Sequence, residues 1–548
     1  MNHFEPINIP DIDLVEAFKY SVDQYGQKPA MIFLDEKISY KKYDQLTNRF
    51  ANGLLEAGLQ KGDRVAINLP NLPQYLIALF GSLKAGMVIS GLSPLATPVE
   101  IKKQLEDLDA RVLVTYDQNL VDKVLTIIDN LDQLKLIVVT RPLDLISPVK
   151  QFFARLLRKL PYPKINFSID ERIISFKKFL NTSVKDPGDA GIKPTDTAAI
   201  QYTGGTTGLP KGAMLSHANL IANIYQGIPI TKPELGNETG LSILPFFHTA
   251  GLIGGLNTAI IGACWVLIPN PRDLDFIMRN IQKYQPSLIF AVPLLYQRLL
   301  DREDFRQTDF SFLKYALSGA ATYPAEMVEP LERVIGKKLL EGYGMTEASP
   351  GITCTPPGRL KPGSVGVPIP HTEVKIIDIE NGTELAPQQR GQLIVRGPQV
   401  MQGYHKLGDE QALQNFEEKK WLFTGDVAYI DDEGFVFICD RIKDMINVSG
   451  NKVFSIEVEE TILKHPGVSY CAIVGRPDSE NMGNEEVVLY AQVTDHPDAA
   501  LSDELLEYCR NNLAPYKVPR AIEFVSEMPV TPIGKVDKKR LRQLISAS

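Results

Sequence analysis

Residues 202–217 read YTGGTTGLPKGAMLSH and combine the residue types that bind phosphate. The glycines leave backbone N–H groups accessible, and the hydroxyls of Thr203, Thr206 and Thr207 can donate to phosphate oxygens. Lys211 adds a positive charge at the end of the stretch. The stretch therefore predicts a phosphate-binding loop. Nucleotide hydrolases, kinases and ligases all use such loops, so the loop alone does not identify the reaction.

The residues around Lys211 exclude one of these classes. A P-loop nucleotide hydrolase needs the pattern GxxxxGK[ST], in which a hydroxyl residue follows the lysine and binds magnesium. Here Pro210 precedes the lysine and Gly212 follows it. Two readings remain: a phosphate cradle of another kind, or a Gly/Thr-rich turn without a ligand.

The surrounding chain predicts an α/β fold with two domains. Residues 28–40 (KPAMIFLDEKISY) read as a β-hairpin, residues 43–59 as an amphipathic helix, and further strands and helices alternate after them. Such alternation is typical of parallel sheets with helices on both faces. The segment from about 370 to 440 reads as a small β-rich unit, and a compact α+β tail follows it. We therefore expect a large domain of parallel βα subdomains over 1–440 and a smaller domain over 441–548.

Residues 241–271 contain no charged side chain, and residues 249–268 reach the length of a membrane span. Asn257, His248 and several glycines and prolines argue against a span, and basic flanks are absent. We expect a buried helix followed by a core strand at residues 264–269 (CWVLIP).

Residues 147–161 (SPVKQFFARLLRKLP) read as a basic amphipathic helix, with Ser147 as its N-cap. Its charged side chains are all lysine or arginine. Such a helix can lie on an anionic membrane surface, or it can pack on the body of the protein with its basic residues in solvent. The sequence leaves both open.

The composition excludes several functions. The chain has 548 residues, 44% of them hydrophobic, and a formal net charge of -8. That charge offers no basic footprint for a nucleic acid, so we expect no nucleic-acid partner. The five cysteines are scattered, and no Cys/His cluster has zinc-site spacing. The N-terminus lacks the apolar core of a signal peptide, so a cytoplasmic location is expected.

Six stretches in order along the chain identify a family. YTGGTTGLPKG is followed by five more: ALSGAA (316–321), EGYGMTE (341–347), TGD (424–426), DRIKDMINVSG (440–450) and PVTPIGKVDKK (529–539). Together they resemble the acyl-adenylate-forming superfamily, which contains acyl-CoA synthetases, peptide-synthetase adenylation domains and beetle luciferases. The resemblance runs from residue 38 to the C-terminus. It is strongest to long-chain fatty acyl-CoA ligases of the bacterial type.

The resemblance implies a two-step reaction. A carboxylate cannot be attacked directly by a thiol, because oxide is a very poor leaving group. ATP first converts it to an acyl adenylate with release of pyrophosphate, and coenzyme A then displaces AMP. Cations must screen the repulsion between the carboxylate and the triphosphate, which is a task for lysines and Mg²⁺.

Roles follow from the motifs position by position. The resemblance implies that the catalytic residues are Lys535, Thr346, Glu347 and His248, with Glu347 as the Mg²⁺ ligand. It implies that ATP contacts Thr203, Gly204, Gly205, Thr206, Thr207, Gly208, Lys211, Ala320, Gly342, Tyr343, Thr346, Asp426 and Arg441.

For the second step, the family rotates its C-terminal domain about a hinge that matches Lys443. Ser449 and Gly450 would then face coenzyme A, where a glycine permits close approach of the thiol arm. Ser455 stands where many members carry proline, and Gln392 where glutamate is usual. These departures affect the expected local geometry and no catalytic role.

The acyl site is expected around LPFFHTAGL (244–252), with small residues leaving room for a chain. The expected acyl-pocket residues are His248, Gly251, Gly254, Gly319 and Gly344. His248 could equally be a core residue without a catalytic task. The absence of a charged residue in this region argues against an amino-acid substrate.

The sequence thus predicts an ATP-dependent ligase that joins a medium- to long-chain fatty acid to coenzyme A. An aryl or other carboxylate–CoA ligase and an acyl-AMP ligase for a carrier protein stay open as alternatives. The expected partners are the fatty acid, ATP and coenzyme A. A peripheral contact with the inner membrane face through 147–160, and a homodimer, are also left open.

Overall fold

The computed structural model describes residues 4–147, 150, 163, 165–203, 210–319, 325–408, 412–478, 484–493, 498–531 and 535–547. The helices are α1 (Leu14–Tyr25), α2 (Tyr40–Glu56), α3 (Pro73–Lys84), α4 (Pro98–Leu108), α5 (Asp117–Asp122), α6 (Phe176–Phe179), α7 (His217–Thr231), α8 (Thr249–Ile261), α9 (Leu274–Tyr284), α10 (Pro293–Leu300), α11 (Glu303–Arg306), α12 (Ala325–Ile335), α13 (Ser455–Ile462), α14 (Ala499–Asn512) and α15 (Lys538–Ala547).

The strands are β1 (Pro29–Phe33), β2 (Glu36–Ser39), β3 (Arg64–Asn68), β4 (Val88–Gly91), β5 (Ala110–Tyr116), β6 (Leu136–Thr140), β7 (Ile173–Ser175), β8 (Thr197–Tyr202), β9 (Gly212–Ser216), β10 (Thr239–Ser242), β11 (Cys264–Leu267), β12 (Leu288–Ala291), β13 (Tyr315–Gly319), β14 (Leu339–Gly344), β15 (Gly351–Cys354), β16 (Val367–Pro368), β17 (Glu373–Ile377), β18 (Gly391–Arg396), β19 (Gly403–Tyr404), β20 (Leu413–Phe416), β21 (Lys419–Ile430), β22 (Val436–Arg441), β23 (Ile446–Val448), β24 (Asn451–Val453), β25 (Val468–Pro477), β26 (Glu485–Val493) and β27 (Ala521–Phe524).

Two large, mostly parallel sheets form the N-terminal part. One has the strand order β16-β15-β14-β13-β12-β10-β11-β1-β2, and the other has the order β19-β9-β8-β4-β3-β5-β6-β7. In both sheets, β-branched and other apolar residues fill the central strands, because helices cover them. The predicted hairpin is confirmed as β1–β2, and the predicted class of parallel βα subdomains is confirmed with it.

The region from 373 to 441 forms a separate antiparallel sheet, in the order β17-β18-β21-β20 with β22 beside β21. Its strand β17 is exposed at Glu373 and buried at Ile376 and Ile377, whereas β18 is buried along most of its length. The C-terminal segment contains the β25-β26-β27 sheet, with one apolar cluster against α13 and α14 and a second one that includes Leu541 of α15. The β-rich unit and the α+β tail therefore match the sequence prediction of fold class.

The charge-free segment forms α8 and then β11, and nearly all of it is buried. Within the described ranges, the protein has no helix long and apolar enough to cross a membrane. The predicted basic helix over 147–160 lies almost wholly outside the described residues.

Candidate active site

One cavity of about 1700 Å³ lies where the two large sheets, the β-rich sheet and the C-terminal segment meet. Most of the predicted site residues line it, although they are spread over more than 300 positions of the chain. Those that line it are Thr203, Lys211, His248, Gly254, Gly319, Gly342, Tyr343, Gly344, Thr346, Glu347, Asp426, Arg441, Lys443 and Lys535.

The phosphate-loop candidate connects the antiparallel pair β8 and β9. Its first described residue, Thr203, donates its N–H to the carbonyl of Lys211 at 2.9 Å, and this bond closes the loop at its base. Ser216 then caps α7 through a reciprocal pair of 3.0 Å bonds with Asn219. The predicted residues Gly204, Gly205, Thr206, Thr207, Gly208 and Ala320 lie outside the described residues.

A buried carboxylate marks one end of the cavity. Asp426 on β21 lies opposite Arg441 on β22 in the strand register, and Arg441 Nε lies 3.1 Å from Asp426 Oδ1. The hydroxyl of Tyr343 donates to Asp426 Oδ2. Burial, followed by the charge of Asp426, raises the pKa of Tyr343 well above its usual value, so Tyr343 remains a donor. An ionised carboxylate has about four acceptor positions, so further donors can still bind Asp426.

Thr346 and Glu347 lie on a single 3₁₀ turn, Thr346–Ala348, that directly follows β14. Thr249, in the first turn of α8, donates its hydroxyl to Thr346 Oγ1 at 3.1 Å. The hydroxyl of Tyr404 donates to Glu347 Oε1 at 2.7 Å. The hydroxyl of Thr346 and the carboxylate of Glu347 are therefore held in place by side chains from distant parts of the sequence.

Tyr404 is a residue that the sequence analysis missed. It lines the cavity and lies on β19, which pairs with β9. The Nζ of Lys211 lies 5.1 Å from the centroid of its ring, so Tyr404 connects the phosphate-loop candidate with Glu347. The chain contains 20 tyrosines, and no local pattern distinguishes this one from the others.

Lys535 enters the cavity from the C-terminal segment. Its position is held by a tight turn, in which Thr531 N–H donates to the carbonyl of Lys535 at 2.7 Å and Lys535 N–H donates to Thr531 Oγ1 at 3.2 Å. Burial, followed by the positive charge of Arg441, lowers the pKa of Lys535 to about 8. Near neutral pH, Lys535 is therefore a cation in the same cavity as Glu347 and Asp426.

His248 is the N-cap residue of α8, and its Nδ1 accepts from the N–H of Ala250 at 3.4 Å. Burial, followed by the charge of Lys535, lowers its pKa to about 4, so it is neutral at physiological pH. His248 and Lys535 both line the cavity.

Beyond His248 the cavity becomes apolar. Residues of α7 and of α8 both line it. These helices and several strands contribute the lining residues Ile224, Gly227, Ile230, Ala250, Ile253, Gly254, Ile261, Trp265, Leu288, Phe290 and Leu317. A polar end with charges and an apolar arm are thus parts of one space.

The predicted small residues of the acyl pocket have different surroundings. Gly254, Gly319 and Gly344 line the cavity, whereas Gly251 is not among the described residues that line it. A Cβ at Gly251 would lie 2.0 Å from the carbonyl oxygen of Pro245, so a close backbone contact requires this glycine. The same distance separates a Cβ at Gly344 from the carbonyl oxygen of Pro350.

Two of the predicted coenzyme A residues, Ser449 and Gly450, are not among the described residues that line the cavity. Ser449 and Gly450 form the exposed turn between β23 and β24, and both have positive φ, 50° and 83°. Asn484 donates to Ser449 Oγ at 3.4 Å. Lys443 does line the cavity, and burial followed by the charge of Arg441 lowers its pKa. In this structure Lys535 therefore lies in the site while the 449–450 turn lies outside it.

Comparison with known proteins agrees with this arrangement. Residues 18–405 match the AMP-binding enzyme family, and residues 457–535 match the AMP-binding enzyme C-terminal domain. The chain is 37% identical over 540 residues to a long-chain-fatty-acid–CoA ligase of Escherichia coli O157:H7, covering 96% of this chain and 94% of that protein. It is 36% identical over 547 residues to the enzyme of the same name from Bacillus subtilis strain 168, covering 97% and 94%.

Among solved structures, an anthranilate CoA ligase in complex with anthranoyl-AMP superposes with a TM-score of 0.85, at 25% identity and 99% coverage of both chains. The resemblance drawn from the six sequence motifs is therefore confirmed. The chain belongs to the AMP-binding enzyme family.

Proposed function

We propose that this protein is an ATP-dependent long-chain fatty acid–CoA ligase. It activates the fatty acid as an acyl adenylate with release of pyrophosphate, and then transfers the acyl group to coenzyme A with release of AMP. The observation that carries the proposal is that Lys535, Glu347 and Asp426 line the same cavity as His248 and the mostly apolar faces of α7 and α8. The long-chain-fatty-acid–CoA ligases that match over nearly the full chain support the same substrate class.

The first step brings a carboxylate to the α-phosphate of ATP. Lys535 bridges the two anions and offsets their repulsion, while Arg441 contributes a second positive charge from the end of β22. Lys211 and the 203–211 loop hold the β- and γ-phosphates, so that pyrophosphate leaves from a fixed position. Thr346 donates its hydroxyl to the α-phosphate.

The nucleoside is held by the β-rich sheet. Asp426 accepts hydrogen bonds from the ribose hydroxyls, for which its remaining acceptor positions are suited. Tyr343 and Gly342 pack against adenine. Because Asp426 is already held by Tyr343 and Arg441, its carboxylate is oriented before ATP binds.

Glu347 fits a Mg²⁺ site. It provides a hard oxygen ligand close to the phosphate loop, and its Oε1 is oriented by Tyr404. No larger group of metal-binding side chains occurs among the described residues, which suits an ion that binds one carboxylate together with substrate phosphates. When bound, Mg²⁺ neutralises part of the phosphate charge.

The second step requires a different arrangement. We infer that the domain over 441–548 rotates about Lys443, which removes Lys535 from the cavity and brings the Ser449–Gly450 turn to its entrance. The exposed turn and its glycine would then allow the thiol arm of coenzyme A to approach the acyl adenylate. His248, neutral and close to the reacting carbonyl, orients the acyl group.

A substrate panel tests the proposal directly. AMP formation should require coenzyme A and should have a higher kcat/KM for octanoate, palmitate and oleate than for benzoate or coumarate. A preference for the aromatic acids would overturn the assignment of substrate class. Accumulation of acyl-AMP as the sole product, with no effect of coenzyme A, would instead indicate an acyl-AMP ligase.

Two variants separate the half-reactions. Lys535→Ala should slow acyl-adenylate formation by roughly 100-fold or more, while thiolysis of supplied acyl-AMP continues. Gly450→Trp should block the use of coenzyme A and leave pyrophosphate exchange intact. If either variant reduced both half-reactions equally, the corresponding assignment would be wrong.

Peripheral contact with the inner membrane face through 147–160, a homodimer and a cytoplasmic location stay predictions from the sequence. Sedimentation of the full chain with vesicles would test the membrane contact, which predicts more bound protein on anionic than on neutral lipids.

A further inference from the structure

The apolar arm of the cavity contains one polar side chain that needs explanation. Asn257 lies on the face of α8 that lines the cavity, two turns beyond the start of the helix. Its neighbours on this face are Ile253, Gly254 and Ile261. This part of the wall is mostly apolar, and the same cavity is also lined by the polar residues Asn223, Thr231 and Glu238.

The other polar side chains of α8 already have partners. Thr249 donates to Thr346, and Thr258 donates to the carbonyl of Gly254 at 3.0 Å. Trp265, which packs against α8, donates its indole N–H to the same carbonyl at 3.1 Å. For Asn257, by contrast, the described part of the chain provides no hydrogen-bond partner. Asn257 is half-buried and its amide is open to the cavity, so a polar group of a bound ligand can pair with it there.

The distance along the helix places Asn257 relative to a bound acyl chain. The reacting carboxylate belongs near the first turn of α8, where Thr249 contacts Thr346 and His248 caps the helix. With a rise of about 1.5 Å per residue, Asn257 lies about 12 Å further along. An acyl chain that extends along α8 advances about 1.2 Å per bond, so it reaches Asn257 about ten bonds from the carboxyl carbon.

We propose that Asn257 is a specificity determinant for fatty acids that carry a hydroxyl group in the middle of the chain. This inference rests on the proposed ligase function and defines its substrate class more narrowly. A carboxamide both donates and accepts, and so does a hydroxyl, so the two groups can pair twice. A plain chain leaves the amide unpaired, and a hydroxyl far from this point leaves both groups unpaired.

The test compares octadecanoate with two hydroxylated forms, one with the hydroxyl about ten bonds from the carboxyl carbon and one with it at the methyl end. The unaltered enzyme should have its highest kcat/KM for the mid-chain form. Asn257→Leu, which has a similar volume, should lower the ratio of mid-chain to plain kcat/KM by about tenfold. Using a ratio makes the result independent of how much of the variant is correctly folded.

Thr258→Val is the matched control. It also removes a polar group from the cavity wall, but that group is bonded within the helix, so the ratio should stay as in the unaltered enzyme. An unchanged ratio in Asn257→Leu would overturn the inference and indicate that Asn257 binds only water. Equal rates of the unaltered enzyme with both hydroxylated forms would overturn it as well, even if the variant failed to fold.

These outcomes are distinct from a failure of the proposed function. If the unaltered enzyme formed no acyl-CoA from plain octadecanoate or shorter saturated acids, the ligase assignment itself would fail. If it used them well but showed no positional preference, only the role of Asn257 would be wrong.

Discussion

The lowered pKa of Lys535 makes the first half-reaction sensitive to pH. Burial and the charge of Arg441 bring this pKa from 10.5 to about 8. A lysine with a lowered pKa is cationic below that value and neutral above it, so the bridging charge is present at neutral pH and lost on the alkaline side. One pH unit above the pKa, about a tenth of the lysine stays protonated. The kcat/KM for adenylate formation should therefore fall by about tenfold between neutral pH and about pH 9.

The assay is pyrophosphate release or exchange with octanoate and ATP, in the absence of coenzyme A. Omitting coenzyme A matters because an ordinary thiol has a pKa of about 8.5 and would titrate in the same range. The pH dependence of kcat/KM reports the free enzyme, in which Lys535 has its lowered pKa. The alkaline decline of kcat should be displaced to a higher pH than that of kcat/KM, because bound phosphates stabilise the cationic form of Lys535.

Lys535→Arg is the control, since a guanidinium stays charged throughout this range. Its absolute rate will differ, but its alkaline decline should disappear. A profile of the unaltered enzyme that stays flat beyond about pH 9.5 would refute the reasoning. So would an alkaline decline in Lys535→Arg at the same position as in the unaltered enzyme, because another group would then be responsible.

Two further changes test the site and its support. Tyr404→Phe removes the hydroxyl that orients Glu347, and it should raise the Mg²⁺ concentration for half-maximal adenylation about tenfold; an unchanged Mg²⁺ dependence would contradict this role. Gly251→Ala places a methyl group against the carbonyl of Pro245 and should lower stability by about 1–3 kcal/mol, measured as a lower unfolding temperature. Gly254→Ala, whose methyl would lie 3.3 Å from its nearest neighbour, should have a clearly smaller effect, and equal effects would exclude the packing explanation.

Much of the fold could be predicted because its signals are local. The hairpin β1–β2, the helix α8 followed by β11, and the strands of the β-rich unit each follow from apolar spacing and turn residues within a short window. The six motifs were equally readable, because each keeps its residue types within about ten positions. Their order along the chain was sufficient for the family, which the full-length matches confirm.

Local sequence patterns could not predict which side chains pair with each other within the site. Tyr404 contacts Glu347 across 57 positions and Arg441 contacts Asp426 across a strand pair, and neither contact has a signature in the local sequence. Gly251 was expected to leave room for the acyl chain, yet a side chain at this position would point at the backbone of Pro245. Small residues serve close backbone packing and open space equally well, and only the tertiary structure distinguishes the two.

The sequence by itself determined the family and the fold class, since these depend on residue type and order, and it predicts the residues that meet ATP. Only the tertiary structure decided that Lys535 lines the cavity while the turn at Ser449 and Gly450 does not, and that Asn257 lines the cavity with no hydrogen-bond partner among the described residues. The physical reason is that the orientation of a domain or side chain depends on the sum of weak contacts between distant segments. No short stretch of sequence contains that sum.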